Sequence, residues 1–417
     1  MVTRYRLVCM DCKVDYVPDA VHYTCDRCGG LLSVELLPFT DPMVVLDGWA
    51  KRPLSVWRYA ELLPAKDRAK VVSLGEGGTP LNLCEKLSYL SGIKEVYVKN
   101  EGQNPTGSFK DRGMSVGMTK AVELGMKRVI CASTGNTSAS MAAYAAKAGL
   151  VPIVLMPAGK VAVGKLVQAL VHGANVIQVR GNFDDALAIV RDLCLHEHIY
   201  LLNSLNPFRL EGQKTAAFEI WEQLGRQVPD YVIVPVGNAG NISAIWKGFR
   251  ELRDLGFVDG CPKMIGIQAE GAAPIADAFK MGSKEVKPIK NPETVATAIR
   301  IGSPVNWKRA IVALAESVGM METVSDEDIL RAQRLLASSE GLFAEPAGAA
   351  SVAGLMKLSA EGRLDKESKV VCIVTGHGLK DQAVVLQGSY RAVEVEANVE
   401  SVVQAIVLPP PTGAPPS

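Results

Sequence analysis

Residues 100–113 read N-E-G-Q-N-P-T-G-S-F-K-D-R-G, and the fold follows from how this stretch is read. The part up to Gly107 is rich in Asn, Pro and Gly, the residues that punctuate turns. Behind the turn, Lys110 opens a pattern in which Met114, Met118 and Val122 recur at every fourth position. That spacing predicts a helix beginning at the lysine. A lysine at such a helix start, at the edge of a sheet, is held away from water. Burial disfavours its ammonium form, lowers its pKa and leaves a nucleophilic amine. The bland alternative is a surface lysine paired with Asp111, an arrangement that contributes little.

Working outward, short apolar runs recur along the chain. Candidate strands are 96–99, 129–132, 152–156, 175–179, 200–203, 231–236, 264–268 and 370–375. They are continuously apolar rather than alternating, as strands covered on both faces must be. Between them, 137–148, 183–196 (with Asn182 as N-cap), 211–224, 243–255 and 326–338 read as helices. Strand–helix alternation predicts an α/β architecture of parallel sheets. The pattern allows one open sheet, or two smaller sheets with a cleft between them.

The chain has 417 residues, room for two or three domains. With 48% hydrophobic and 21% charged residues it has the composition of a well-cored soluble protein. Lys and Arg number 45 against 44 Asp and Glu, a net charge of +1. No global field therefore recruits nucleic acid or a membrane surface. The N-terminus lacks a signal-peptide pattern and no apolar run reaches membrane-spanning length, so a cytoplasmic location is expected. Residues 392–408 mix charged and apolar groups, and 409–417, P-P-P-T-G-A-P-P-S, is expected to be disordered.

Nine cysteines divide into two sets. Cys84, Cys131, Cys194, Cys261 and Cys372 are scattered and read as small core residues. Cys9, Cys12, Cys25 and Cys28 form C-x2-C…x12…C-x2-C, with Gly29-Gly30 to tighten the second turn. Two such knuckles bring four thiolates within reach of one tetrahedral Zn²⁺. Residues 1–38 are thus expected to be a zinc-ribbon-like module with a structural metal. A redox pair and a rubredoxin-like iron remain alternatives. All four ligands come from protein, so no coordination position is left for chemistry. The ribbon carries Lys13 and Arg27 against Asp11, Asp15, Asp19 and Asp26, which offers no basic stripe for nucleic acid.

Three loops give Lys110 its company. G-N-A-G-N (237–241) follows the apolar run Y-V-I-V-P-V and precedes a helix, so its Gly237, Asn238, Ala239, Gly240 and Asn241 amides can bind a dianionic phosphate. S-T-G-N-T (133–137) also lies between strand and helix, with hydroxyls and amides able to grip a carboxylate and with Asn136 able to meet a ring oxygen. T-G-H-G (375–378) ends another apolar run, and Thr375 can bond a ring nitrogen. Each loop alone is explained as a turn or capped helix start. Together they lie at the C-terminal ends of predicted strands, the ligand side of open α/β sheets. A lysine, a phosphate cradle and partners for a ring oxygen and ring nitrogen are what pyridoxal phosphate (PLP) requires of a protein.

With these residues in view, the chain resembles the fold-type-II PLP-dependent enzymes, and among them the threonine synthase family. The resemblance spans roughly residues 70–385. It is carried by G-E-G-G-T-P-L (75–81), N-P-T-G-S-F-K-D-R-G (104–113), S-T-G-N-T (133–137), R-G-N-F-D-D-A (180–186), N-S-L-N-P-F-R-L-E-G-Q-K-T (203–215), P-V-G-N-A-G-N (235–241) and E-P-A-G-A-A (345–350). It implies two open, mostly parallel α/β domains of the tryptophan-synthase-β-like kind. The larger would take 39–112 and 207–390, the smaller 113–206, and 391–417 would be a tail. It also implies a homodimer. Lys110 would form the Schiff base and shuttle protons, Asn136, residues 237–241 and Thr375 would hold the cofactor, and Ser133, Thr134, Thr137, Asn203, Ser204 and Arg209 would hold the substrate. Arg209 suits a phosphate because its planar fork binds bidentately; a structural ion pair with Glu211 or Glu219 is its alternative. The implied reaction converts O-phospho-L-homoserine and water to L-threonine and phosphate. Cysteate synthase, acting on O-phosphoserine and sulfite, and serine or threonine dehydratases share the pattern. A zinc-ribbon nucleic-acid-binding protein is the reading from another class.

Overall fold

The apolar runs supply the strands of two parallel sheets, and the cysteine-rich segment builds a third, antiparallel one. The computed structural model describes residues 5–37, 42–158, 163–181, 183–283, 285–382 and 393–407. In chain order the strands are β1 (Tyr5–Cys9), β2 (Asp15–Tyr16), β3 (Leu32–Leu36), β4 (Leu81–Leu83), β5 (Glu95–Asn100), β6 (Arg128–Ala132) and β7 (Val151–Pro157). They continue with β8 (Asn175–Val179), β9 (Ile199–Leu201), β10 (Tyr231–Pro235), β11 (Lys263–Ala269), β12 (Met320–Val324) and β13 (Lys369–Val374). The six-stranded sheet has order β12-β11-β10-β13-β5-β4, parallel except for β4 at its edge. The four-stranded sheet, β8-β7-β6-β9, is wholly parallel. Of the two arrangements the sequence allowed, two sheets is the one adopted.

The pleat explains the unbroken apolar runs. Along β10, Val232 and Val234 join a core with Trp221, Trp246 and Phe249 on one face of the sheet. Tyr231 and Ile233 join a second core with Leu336, Val352 and Leu355 on the other. Along β6, Val129 and Cys131 face one core and Ile130 and Ala132 another. A strand buried on both sides has no polar positions to alternate with. Cys84, Cys131 and Cys372 are buried as expected, whereas Cys194 and Cys261 are only half-buried.

Three sequence expectations shift. β12 (M-M-E-T-V) interrupts its apolar run with Glu322, which is nonetheless buried and ion-paired with Lys280, Lys357 and Arg363. The run 200–203 ends as a strand at Leu201, because Asn203 leaves the ladder to bond the Ala132 backbone. The helix read at 211–224 is two, Pro207–Gln213 and Thr215–Gln223. At the break the Thr215 hydroxyl donates to the Gly212 carbonyl at 2.7 Å, competing with the helical ladder. Asn182 and the Pro-rich end at 409–417 lie outside the described residues.

One helix crossing positions the site. The helix Lys110–Glu123 packs on Pro207–Gln213 through glycines. A Cβ on Gly212 would lie 1.8 Å from the Arg112 carbonyl oxygen, and one on Gly113 2.6 Å from that of Arg209. Only with glycine at these positions do the two backbones touch, which sets Lys110 and Arg209 side by side. Residues Met1–Lys380 form one compact unit and Asp381–Ser417 a second, in which Val399–Val407 is a helix with Val399, Val402, Val403 and Ile406 exposed. Among the described residues no helix is long and apolar enough to cross a membrane.

Candidate active site

Lys110 begins its helix beside the end of β13. The Phe109 amide donates to the Thr375 carbonyl at 3.0 Å, Ser108 bridges Gly376, and the His377 amide donates to Gly107 at 2.9 Å. The lysine-bearing turn is thus zipped onto the strand end that carries Thr375. Lys110 Nζ lies 4.2 Å from the Phe109 ring centroid and makes no ion pair or hydrogen bond among the described residues. Part of its surface remains accessible, but the amine is packed among protein atoms. Desolvation, aided by the neighbouring Arg209 guanidinium and partly offset by Glu345, pushes its pKa down to about 7. The surface ion pair with Asp111 does not occur. Asp111 is buried and accepts from the Thr106 amide and hydroxyl (both 2.6 Å) and from Ser140 (2.5 Å).

The loop 133–137 joins β6 to the helix Asn136–Ala148. Ser133, Thr134, Asn136 and Thr137 are all half-buried. Ser133 Oγ accepts from the Gly135 amide at 3.3 Å, while Thr134 and Thr137 spend their hydroxyls on no described partner. Asn136 Nδ2 donates to both oxygens of Glu345, at 3.2 and 3.0 Å. Asn203 is buried, and its amide both accepts from the Ala132 N–H and donates to the Ala132 carbonyl, each at 2.9 Å. It clamps the base of this loop.

Residues 237–241 follow β10, which neighbours β13, so this loop and Thr375 emerge from the same edge of the large sheet. Ala239 adopts φ +63°, ψ 4°, a left-handed conformation that a residue with a Cβ rarely takes. It turns the chain so that the helix Gly240–Asp254 starts with its amides facing out of the strand end. Among the described residues Asn241 Nδ2 is buried without a partner. So are Ser108 Oγ, Gln213 Oε1 and Arg209 Nε.

Arg209 is buried, and its Nη1 donates to the Leu202 carbonyl at 3.2 Å. Burial pushes the guanidinium down to about 10. The structural ion pair is ruled out: Glu211 is engaged by Lys214 and Lys247, and Glu219 by Lys99 and Arg112. A buried cation without a counter-charge costs stability and is poised for an anionic ligand. The residues therefore fit a phosphorylated aldehyde cofactor and an anionic substrate: an amine of lowered pKa, open helix-start amides and orphaned buried polar atoms stand on neighbouring strand ends and on the helix crossing.

Two contributors went unread in the sequence. Glu345, buried at the N-cap of the helix Pro346–Ala360, turns its carboxylate to Asn136 and also accepts from the Thr375 hydroxyl at 3.1 Å. Its only signal was its place in E-P-A-G-A-A. Asn306, 1% exposed, heads the helix Trp307–Glu316 without capping it. Its Nδ2 donates to the Ser204 carbonyl and its N–H to the Asn238 carbonyl, both at 3.1 Å. It thereby ties Ser204 to the loop at 237–241. Arg309 donates to Asn306 Oδ1 at 3.1 Å and to the Leu32 carbonyl of β3 at 2.5 Å, linking the same point to the N-terminal sheet.

The four N-terminal cysteines gather in one cluster. Their sulfurs all lie within 4.8 Å of one another, with Cys9–Cys28 and Cys12–Cys25 at 3.5 Å. Tetrahedral Zn–S bonds of about 2.3 Å place sulfurs about 3.8 Å apart, so the donor set fits one such ion. Lys13 and Gly29, each following the second cysteine of its knuckle, both take positive φ, 62° and 71°.

The family of pyridoxal-phosphate dependent enzymes matches residues 72–376. A threonine synthase of Methanocaldococcus jannaschii is 58% identical over 393 residues, 94% of this chain and 96% of that protein. One of Methanosarcina acetivorans is 56% identical over 402 residues, 96% of this chain and 98% of that protein. The structure of maize serine racemase covers 74% of this chain and 90% of its own with a TM-score of 0.64; at 21% identity it speaks for the α/β fold alone. The chain belongs to the pyridoxal-phosphate dependent enzymes and, among them, to the threonine synthase family.

Proposed function

We propose that this chain is a threonine synthase, converting O-phospho-L-homoserine and water to L-threonine and phosphate. The observation that carries the reading is the pairing of an amine of near-neutral pKa, Lys110, with a buried guanidinium that meets no carboxylate among the described residues, Arg209.

The Gly237, Asn238, Ala239, Gly240 and Asn241 amides would hold the phosphate of PLP, Asn136 its ring oxygen and Thr375 its ring nitrogen. When bound, PLP supplies an aldehyde for the Lys110 amine and an electron-withdrawing ring that accepts charge from the substrate's Cα. Lys110 Nζ, whose lowered pKa leaves a large free-amine fraction at neutral pH, takes the proton at Cα and then moves protons at Cβ and Cγ. Arg209 holds the substrate phosphate and carries its charge as it leaves Cγ. Ser133, Thr134 and Thr137 orient the substrate carboxylate. Asn203 and Ser204 keep the loop at 133–137 and the start of 203–209 in register. One base serving several proton transfers needs a recess from which water is excluded until it adds at Cβ.

The same reading assigns the remaining parts. The 1–38 segment is a structural Zn²⁺ ribbon whose Leu7, Leu32 and Val34 share a core with Val56, Val116 and Phe208. Segments 39–112 and 207–390 form the larger PLP domain, 113–206 the smaller, and 391–417 a tail. The enzyme acts on a small molecule in the cytoplasm as a homodimer, without nucleic-acid or membrane partners. Phosphate release tests the substrate. O-phosphohomoserine should yield threonine and phosphate. Phosphate and cysteate from O-phosphoserine plus sulfite, or 2-oxobutanoate from threonine as the main activity, would replace this reading.

A further inference from the structure

The cysteine knuckles hold more than their own turns. Cys9 stands directly opposite Leu32 in the β1–β3 ladder. The Met10 amide donates to the Leu31 carbonyl at 2.9 Å, and the Cys25 amide to that of Gly30 at 2.8 Å. The knuckles therefore hold the start of β3, an edge strand of its sheet. Unpaired carbonyls along an edge strand need partners, and two cations of the α/β body supply them. Lys247 Nζ donates to the Val34 carbonyl at 2.7 Å and Arg309 Nη2 to that of Leu32 at 2.5 Å.

Arg309 carries this contact onward. Its Nε donates to Asn306 Oδ1 at 3.1 Å, and Asn306 holds the Ser204 carbonyl with its side chain and the Asn238 carbonyl with its backbone N–H. The Val305 amide adds a bond to Asn238 Oδ1 at 3.3 Å. A second path leaves the ribbon two residues before Cys25. The Tyr23 hydroxyl accepts from the Leu201 amide at 2.7 Å, on β9, an edge strand of the smaller sheet. The Leu201 carbonyl in turn accepts at 2.8 Å from Asn206, the N-cap of the helix that bears Arg209. A third is the edge-on packing of Tyr5 against Phe208, with ring centroids 6.1 Å apart. All three paths end on segment 201–209 or on the loop at 237–241, the parts assigned above to the substrate and the cofactor phosphate.

We propose that the ribbon is a metal-dependent brace of the active site, with Tyr23 and Arg309 as its positioning residues. Metal held by Cys9, Cys12, Cys25 and Cys28 favours cofactor binding, and cofactor binding favours the metal. This rests on the assignment of 237–241 to PLP and of the four cysteines to Zn²⁺. A segment this small owes its order to its metal, so the ribbon is the two-state element that such coupling requires. Ordered, it presents the Tyr23 hydroxyl and the Leu32 carbonyl. Unfolded, it leaves the Leu201 amide and Arg309 Nη2 without these acceptors, and Asn306 is no longer held from behind.

The test uses the full chain, freed of PLP and retaining its metal. Removing the metal with a chelator should weaken PLP affinity, read by equilibrium dialysis, at least about fivefold. Because coupling is reciprocal, PLP should tighten Zn²⁺ by the same factor in competition with a chromogenic chelator. Hydrogen exchange should quicken at the Leu201 and Asn306 amides while β10 and β13 keep their protection. The double variant Tyr23→Phe, Arg309→Met keeps all four cysteines. Its PLP affinity should be weak with metal present and should not fall further when the metal is removed. Equal PLP affinity of the wild type with and without metal, or wild-type affinity in the double variant, overturns the inference. The metal-loaded double variant decides even where chelation unfolds the whole chain, and the wild type decides where the variant fails to fold. Borohydride fixation and metal analysis of the same samples separate the levels. PLP fixed at Lys110 with an affinity blind to the metal removes only the brace. No fixation at Lys110 removes the assignment of the pocket as well, and a folded chain isolated without metal removes that of the knuckles.

Discussion

Replacing Arg209 by methionine should make the ligand-free protein more stable and the enzyme much worse. The side chain is 2% exposed and its guanidinium is pushed down to about 10 from 12.5. That difference, at about 1.4 kcal/mol per unit, corresponds to about 3 kcal/mol of strain on the charged form. Methionine of similar length removes the charge and forfeits one hydrogen bond to the Leu202 carbonyl, worth about 1 kcal/mol. The net is a gain of about 2 kcal/mol, within the range seen when buried charges give way to apolar groups. The guanidinium stays protonated below about pH 9, so the gain should not vary with pH from 5 to 9. Urea midpoints of the ligand-free proteins read it directly. Inorganic phosphate should raise the midpoint of the wild type and leave Arg209→Met unmoved. In turnover, losing a charge-assisted fork on the substrate phosphate should lower kcat/KM by a factor on the order of 100 or more. A loss of 3–5 kcal/mol in stability, the signature of a broken buried ion pair, would mean that Arg209 has a counter-charge, and near-normal kcat/KM would mean that it does not hold the substrate phosphate.

Other predictions follow from the same geometry. Because the folded protein lowers the pKa of Lys110 to about 7, the free-amine fraction rises through neutrality. The rate of PLP attachment to cofactor-free protein should climb between about pH 6 and 8 and level off by about 9, whereas an ordinary lysine would keep gaining past about pH 10; stopped-flow absorbance follows it. Asn306→Ala leaves the Ser204 carbonyl and Arg309 Nε short of partners. It should cost about 1–3 kcal/mol in denaturant unfolding and weaken PLP affinity measured by equilibrium dialysis. Metal analysis should find one Zn²⁺ per chain, and chelation should free four thiols and melt the contacts of Tyr5, Leu7 and Leu32 with Phe208 before the α/β body unfolds. Four reactive thiols in folded, metal-free protein as isolated would contradict this.

Much of this architecture was legible because each piece is local. An apolar run announces a strand covered on both faces, and a Gly-rich turn behind it marks a candidate ligand loop, which is how the sequence singles out Lys110, Asn136, residues 237–241 and Thr375. What stayed hidden depends on contacts between distant segments. Glu345 meets Asn136 across 209 residues and Asn306 meets Ser204 across 102, and no spacing rule connects such pairs. β12 was missed because Glu322 looks solvent-bound until Lys280, Lys357 and Arg363 surround it. The helix break at Lys214 follows from the crossing at Gly212, where two backbones leave no space for a side chain. Asn203 spends its amide on the Ala132 backbone, a contact across 71 residues that no local pattern announces.

In the proposed function one partly accessible but desolvated amine, that of Lys110, carries the chemistry. Loading the protein with PLP, reducing it with borohydride and sequencing the peptides by mass spectrometry tests this directly. A pyridoxyl group on Lys110, and on no other lysine, is the predicted result. A label on Lys380 or Lys99 in place of Lys110, or no label on a folded and otherwise intact chain, would contradict it.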